Sequence, residues 1–279
     1  MAFGALLSVK ILSRMKLYLR LSAGSLSMAQ YELGREPYFA FSTYRLRTET
    51  SLTVNLQHAR ETEEILSRPT SGIEVLVTGP VVAVPLADFR EEDCDALYNY
   101  CFASQVRRRV FYDTLPLANA ILLFALDEDK CTAVEDVFGE VHYRSAQTAV
   151  LRYFGAKGIA GARSRRLFVH LHERQADIAV FDGGRLLFVN TFDVREEADV
   201  AYYVFNAVRH VGMDVRRDPI FVIGAADLRT RMVNELGRFA QRVVSIDPHE
   251  EFNHSIVTAN AAVPYDMVCE LLRLESRFQ

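Results

Sequence analysis

The sequence predicts an α/β protein of two tandem halves, each running βββαβα. Three observations predict it. An ungapped internal repeat joins the N-terminal region to the middle of the chain. Both copies alternate apolar and polar residues with period two around a turn, as half-buried antiparallel strands do. Both copies are then followed, in the same order, by a third strand, an amphipathic helix and a short apolar strand.

The elements follow in chain order. Residues 1–14 hold one apolar patch, with no basic residue before it and no small-residue cleavage site after it, so they read as a leader ahead of Met15. The first half, 15–154, opens with "LYLRLSAGSLSMAQY" (17–31), which aligns with "LFVHLHERQADIAVF" (167–181). Leu17, Leu19 and Leu21 match Leu167, Val169 and Leu171; Met28 and Tyr31 match Ile178 and Phe181; Gly34-Arg35 matches Gly184-Arg185. "PYFAFSTY" is the third strand, and Leu52, Leu56, Ala59 and Leu66 mark the helix face behind it. "GIEVLVTG" is a buried strand ending at Gly79, and a helix is expected over Glu91–Phe102.

"GAKGIAGARSRR" has the small and basic residues of a linker, 155–165, and the second half runs 166–279. Its "DGG" at Asp182–Gly184 suits a tight turn before the strand "RLLFVNTF". A helix from Glu196 to Val211 presents Val200, Tyr203, Val204, Ala207, Val208 and Val211 on one side, with Asp193 as the expected N-cap. "PIFVIGA", containing Gly224, precedes a helix expected over Asp227–Val243 with Phe239 and Val243 inward.

Composition sets limits on function. The chain has 279 residues, half of them hydrophobic, and a formal net charge of −4 from 32 Lys and Arg against 36 Asp and Glu. It lacks the basic excess that phosphate-backbone binding favours, which argues against nucleic acid as a partner. No apolar run approaches the roughly 20 residues of a membrane helix, so a cytoplasmic protein with no membrane contact is expected. Cys94, Cys101, Cys131 and Cys269 are too scattered for a disulfide framework or a paired zinc knuckle; Cys94 and Cys101 are expected to share a buried helix face.

Two such units in tandem describe the duplicated ribonuclease-H-like fold of actin, sugar kinases and heat-shock chaperone ATPases. Most of the chain from Met15 also resembles a family of bacterial proteins with an actin-like ATPase fold and no established activity. The resemblance is carried by "VAVPLADF" (82–89), "YDTLPLANAILLF" (112–124) and "LLFVNTFDVREEADVAYYVFNAVRHVGMD" (186–214). It implies a fold and leaves the function open.

In the fold class so implied, the two hairpins approach a nucleotide's phosphates from opposite sides. Each commonly carries Asp-x-Gly and small residues, so that a carboxylate serves the metal and backbone N–H groups reach phosphate oxygens. Here Gly24-Ser25 survive in the first hairpin, but Ser22 stands where the Asp is expected; the second has His172-Glu173-Arg174-Gln175. Gly224 alone remains of the Gly-Gly turn expected near the adenosine. Phosphoryl transfer is therefore not expected, and no cofactor is. Gly24, Ser25, His172, Glu173, Arg174 and Gly224 are the residues of a vestigial nucleotide cleft, with Glu173 or Asp177 as stand-in carboxylates of undetermined direction.

The expected role is a non-catalytic binding or assembly module, its partner another protein or a second copy of itself, as in actin-like components of secretion and pilus machines. A nucleotide-dependent switch or weak ATPase with a rearranged phosphate site is the alternative. Two other patterns are read blandly. His170 and His172 share one strand face, as metal-binding pairs do, with His249, Glu250, Glu251 and His254 as possible third ligands; an exposed strand face is the plainer expectation. Arg107, Arg108 and Arg109, near Arg163, Arg165 and Arg166, form a possible basic patch, although their interleaved aromatics describe a half-buried strand.

Overall fold

The computed structural model describes residues 15–32, 37–156 and 164–273. The 1–14 leader, the Gly34-Arg35 match and most of the 155–165 linker lie outside the described residues.

Two five-stranded sheets form the frame. In the first, β1 (Lys16–Leu21), β2 (Ser25–Glu32), β3 (Tyr38–Arg45), β4 (Gly72–Val77) and β8 (His142–Ser145) lie in the order β3-β2-β1-β4-β8. In the second, β9 (Arg165–His172), β10 (Gln175–Asp182), β11 (Arg185–Asp193), β12 (Ile220–Ile223) and β13 (Val243–Ser245) lie in the order β11-β10-β9-β12-β13. Each begins as an antiparallel meander and continues with parallel strands. The registers match the aligned repeat: Leu19 faces Met28 and, in the other sheet, Val169 faces Ile178.

Between β4 and β8 the first half carries extra structure. β5 (Val82–Pro85), β6 (Arg108–Leu115) and β7 (Ala120–Asp127) make a separate antiparallel sheet in the order β5-β7-β6. Helix α1 (Leu52–Thr62) follows β3, and α2 (Cys94–Cys101) packs Cys94 and Tyr98 on the inserted sheet against Val84, Ile121 and Leu123. The expected correspondence between the 91–102 helix and the one following Gly224 is thus corrected. The crossover partner of α6 (Ala226–Leu236) is α3 (Glu128–Phe138), which leads into β8 as α6 leads into β13.

Local chemistry moves two other boundaries and turns residues expected to be buried outward. β11 runs through Asp193, which pairs with Gln175, so the following helix starts later: α5 (Glu197–Val211) is capped by Glu196 in a reciprocal box with Asp199. Helix α6 stops at Gly237 because Val243 is needed in the fifth strand, and Phe239 is exposed. On α2, Cys94 is buried while Cys101 is exposed.

Strand parity then decides what each sheet face meets. In the second half, Leu167, Val169, Leu171, Ile178 and Val180 turn outward under α5 and α6, packing on Val204, Val208, Met232 and Leu236. The opposite parity, Phe168, His170, Asp177, Ala179 and Phe181, turns toward the other half. The seam holds α4 (Ala146–Ala156) and, after the short α7 (Pro248–Glu251), the fully buried α8 (Tyr265–Leu272). Phe154 of α4 stacks on Phe168 at 4.1 Å, and Tyr265 and Phe252 close around it. Residues 246–272 therefore pack into the core that also contains Leu17, Leu19, Val75 and Leu151.

Candidate functional site

The two hairpin corners face one another across an open cleft with a cavity of about 930 Å³. Gly24 and Ser25 line it from the first half and Glu173 and Arg174 from the second, so four of the six expected residues come together. His172 and Gly224 do not line it.

The first corner is satisfied internally. Ser22 N–H donates to Ser25 O at 3.0 Å, and the Ser22 hydroxyl bonds Ser25 O and Oγ at 3.2 and 3.0 Å. Gly24 O accepts from Leu46 N–H at 3.0 Å, tying the turn to the segment after β3.

The second corner is held from across the cleft. Arg20, on the seam-facing parity of β1, donates Nε–H to both oxygens of Asp266 at 2.9 and 2.8 Å, and Nη1–H to Glu173 Oε1 at 2.9 Å. The Arg20 and Asp266 side chains are 3% and 1% exposed, whereas Glu173 is 37% exposed. Glu173 adopts φ +51°, a left-handed conformation uncommon for a side-chain-bearing residue, and its carboxylate is aimed at Arg20. The stand-in carboxylate is therefore already engaged by the protein's own guanidinium, which it shares with Asp266. The other carboxylate among the described cleft residues, Asp193, accepts from Gln175 at 3.0 Å. Arg45, Arg47, Arg174 and Lys130, the last paired with Asp127 at 2.7 Å, line the same cavity, so its walls carry more positive than negative charge.

Gly224 has a structural explanation. At φ +151°, a Cβ placed there meets Leu171 O at 2.8 Å and Leu171 Cβ at 3.0 Å, so its missing side chain lets β12 end against β9. Gly79, at the equivalent end of β4, has φ +149° with open space around it. Its carbonyl accepts from Gln147 at 3.3 Å and Thr191 at 3.2 Å, reaching from the first half to the second.

Behind the corner, the expected exposed face at His170 and His172 is corrected. The strand parity that carries Phe168 into the seam carries both rings with it: His170 is buried, the His172 side chain is 9% exposed, and the ring centroids lie 4.7 Å apart. His172 Nε2 lies 2.8 Å from Asp177 Oδ2 and His170 Nδ1 lies 3.5 Å from the same oxygen. Asp177 Oδ1 accepts from Gln147 at 3.0 Å and Thr191 at 2.8 Å. Burial alone raises a carboxyl pKa, but the charge on His172, its hydrogen bond and the close approach of the His170 ring outweigh it and hold Asp177 well below the usual carboxylate range. Burial pushes His170 down, toward the neutral ring; for His172 the opposing burial effect is overcome by Asp177, which raises it. Asp177 thus points into the seam and not into the cleft.

Within the candidate basic patch, Arg107 pairs with Glu128 at 3.3 Å, Arg108 with Asp127 at 3.7 Å, and Arg109 in a two-point pair with Glu135 at 2.8 and 2.7 Å; Arg163 lies outside the described residues. His249 and His254 meet edge to face with centroids 4.4 Å apart. No helix among the described residues is long and apolar enough to cross a membrane.

Arg20 and Asp266 are the residues the sequence reading missed. Their signal is a charge inside an apolar run, "LYLRL" and "YDMVCELL", which in a buried strand or helix requires a partner.

Comparison with known proteins agrees with this architecture. The family described as protein of unknown function (DUF3822) matches residues 6–243. A Bacteroides thetaiotaomicron protein with actin-like ATPase fold and unknown function superposes with a TM-score of 0.80 at 22% identity, over 94% of this chain and 97% of that one. The PilM-PilN type IV pilus biogenesis complex gives a TM-score of 0.62 at 11% identity, over 95% and 99%. No curated protein matches. At such identities the likeness shows the fold: two sheet-containing halves in the actin-like ATPase arrangement.

Proposed function

The chain belongs to the DUF3822 family of proteins of unknown function, and from that premise we propose that it is a non-hydrolytic actin-like binding or assembly module of the cytoplasm, working through its inter-half cleft. The observation that carries the reading is the Arg20 bridge to Glu173 and Asp266. Phosphoryl transfer in this cleft needs carboxylates free to hold a metal and its water. One corner has a serine in that place, and the other has a glutamate already paired with a guanidinium.

The occupant this cleft favours is another protein. Arg45, Arg47, Lys130 and Arg174 outnumber Glu173 and Asp193 on its walls, which suits an acidic segment of a partner or of a second copy. The PilM-PilN complex is a precedent for an actin-like chain held in an assembly, by analogy of fold only. A nucleotide-dependent switch draws on the same cleft, because Gly24, Ser25 and the four cations also suit phosphate.

Calorimetric titration of the full chain with magnesium and ATP separates the two. The binding module gives no sub-millimolar heat and no phosphate release. Sub-millimolar binding that disappears in an Arg174→Ala, Lys130→Ala variant would overturn it in favour of the switch.

A further inference from the structure

Behind the cleft, one cluster of side chains has chemistry that the proposed binding role does not use. His170, His172 and Asp177 each offer a ligand atom, and these atoms all lie within 4.8 Å of one another. They come from facing strands of one hairpin: Asp177 pairs in register with His170, and His172 projects from the same face two residues on. We propose that these three residues bind a divalent first-row transition ion, zinc being the leading candidate from its donor set of two imidazoles and a carboxylate.

The distances suit such an ion. Ligands about 2.1 Å from a tetrahedral zinc lie about 3.4 Å from one another. His170 Nδ1 and Asp177 Oδ2 are already 3.5 Å apart. His172 Nε2 and Asp177 Oδ2, at 2.8 Å, share a hydrogen bond and separate by about 0.6 Å to admit the ion. The ion takes the place of the proton shared between His172 Nε2 and Asp177 Oδ2, which passes to solvent or to Nδ1 of the same ring.

The surroundings supply two independent supports. Asp177 Oδ1 is fixed by Gln147 and Thr191, the outer hydrogen bonding that orients metal-bound carboxylates, and it leaves Oδ2 toward both rings. The Nδ1 atoms of both histidines and Oε1 of Gln147 are buried without a hydrogen-bond partner. A cavity of about 20 Å³ is lined by Gln147, His170 and Asp177, with Phe154 and Phe168 closing it. That volume suits one water, so the fourth position falls to a water or to the Gln147 amide oxygen. Gln147 also bonds the Gly79 carbonyl, so the ion ties the second hairpin to both α4 and the end of β4.

The test uses the full chain with any affinity tag removed, stripped by chelator and given zinc near neutral pH. Elemental analysis is expected to return one equivalent of zinc per chain. Zinc at about 100 times its dissociation constant is expected to raise the melting midpoint by about 5 °C or more. Asp177→Asn and the double variant His170→Gln, His172→Gln are expected to lose both effects, while His249→Ala, His254→Ala keeps them. Cobalt titration of the wild-type chain gives a reading independent of variant folding, a tetrahedral visible absorption saturating at one equivalent. No cobalt spectrum and no zinc-induced shift in the wild type leave a proton-sharing triad only and overturn the site, as does full metal retention in the folded double variant.

Discussion

Replacing Arg20 by methionine removes the only guanidinium seen to contact Asp266 among the described hydrogen bonds, while keeping much of the side-chain volume. At 2.8 Å and an effective dielectric constant of about 20, the gross attraction across that contact is about 6 kcal/mol. Desolvation of both groups offsets most of it in the native protein. What the variant leaves behind is a carboxylate only 1% exposed with its partner gone, and breaking a buried pair in this way costs about 3–5 kcal/mol. Glu173→Gln removes the other arm, but that carboxylate is 37% exposed and screened by water, so it costs only about 0.5–1 kcal/mol. Adding Asp266→Asn to Arg20→Met removes the stranded charge and is expected to recover a substantial part of the loss. Urea unfolding at neutral pH, followed by far-ultraviolet circular dichroism with comparison of m-values, measures all three. An Arg20→Met loss below about 1 kcal/mol, or one smaller than that of Glu173→Gln, refutes the assignment of the buried fork as the stronger arm.

Two further outcomes follow from the same contacts. Gly224→Ala and Gly79→Ala both force a side-chain-bearing residue to φ near +150°, a strain of about 1–3 kcal/mol; only Gly224→Ala also drives a Cβ against the Leu171 backbone, so its unfolding midpoint should fall further. Glu74, buried between Lys16 and Arg144, has its carboxyl pKa pushed up by burial but lowered overall by hydrogen bonds from both cations. A depressed carboxyl stabilises the fold above its unfolded value of about 4.3, and that contribution is lost as pH falls through the lower folded value. Glu74→Gln should therefore cost about 1–3 kcal/mol at neutral pH and progressively less in acid, as read by urea midpoints across pH.

Much of the frame was legible in the chain because it depends on short-range periodicity. The alternation in "LYLRLS" and "LFVHLH" sets strand parity, and the ungapped repeat sets the matching registers at Leu19 with Met28 and Val169 with Ile178. The boundaries that moved did so where longer contacts prevailed. Asp193 was taken into the β11 ladder by Gln175, and Val243 was taken from helix into a fifth strand by Ile220. Of the inserted three-stranded sheet only β6, with its interleaved aromatics, read as a strand, and nothing local says that β5 pairs with β7 or that α3, after it, resumes the first sheet.

The candidate site divides along the same line. By itself the sequence determined that both hairpins persist, that Ser22 stands where a metal carboxylate is expected, and that His170 and His172 share a face. Only the tertiary structure decided that this face is buried, that Asp177 completes a cluster there, and that Arg20 closes on Glu173 and Asp266, 153 and 246 residues away. The physical reason is that side-chain direction follows from the two-residue period of a strand, which neighbours along the chain specify. The partner of a buried charge is chosen by how distant elements pack, and the energy of that choice appears only when both charges have left water.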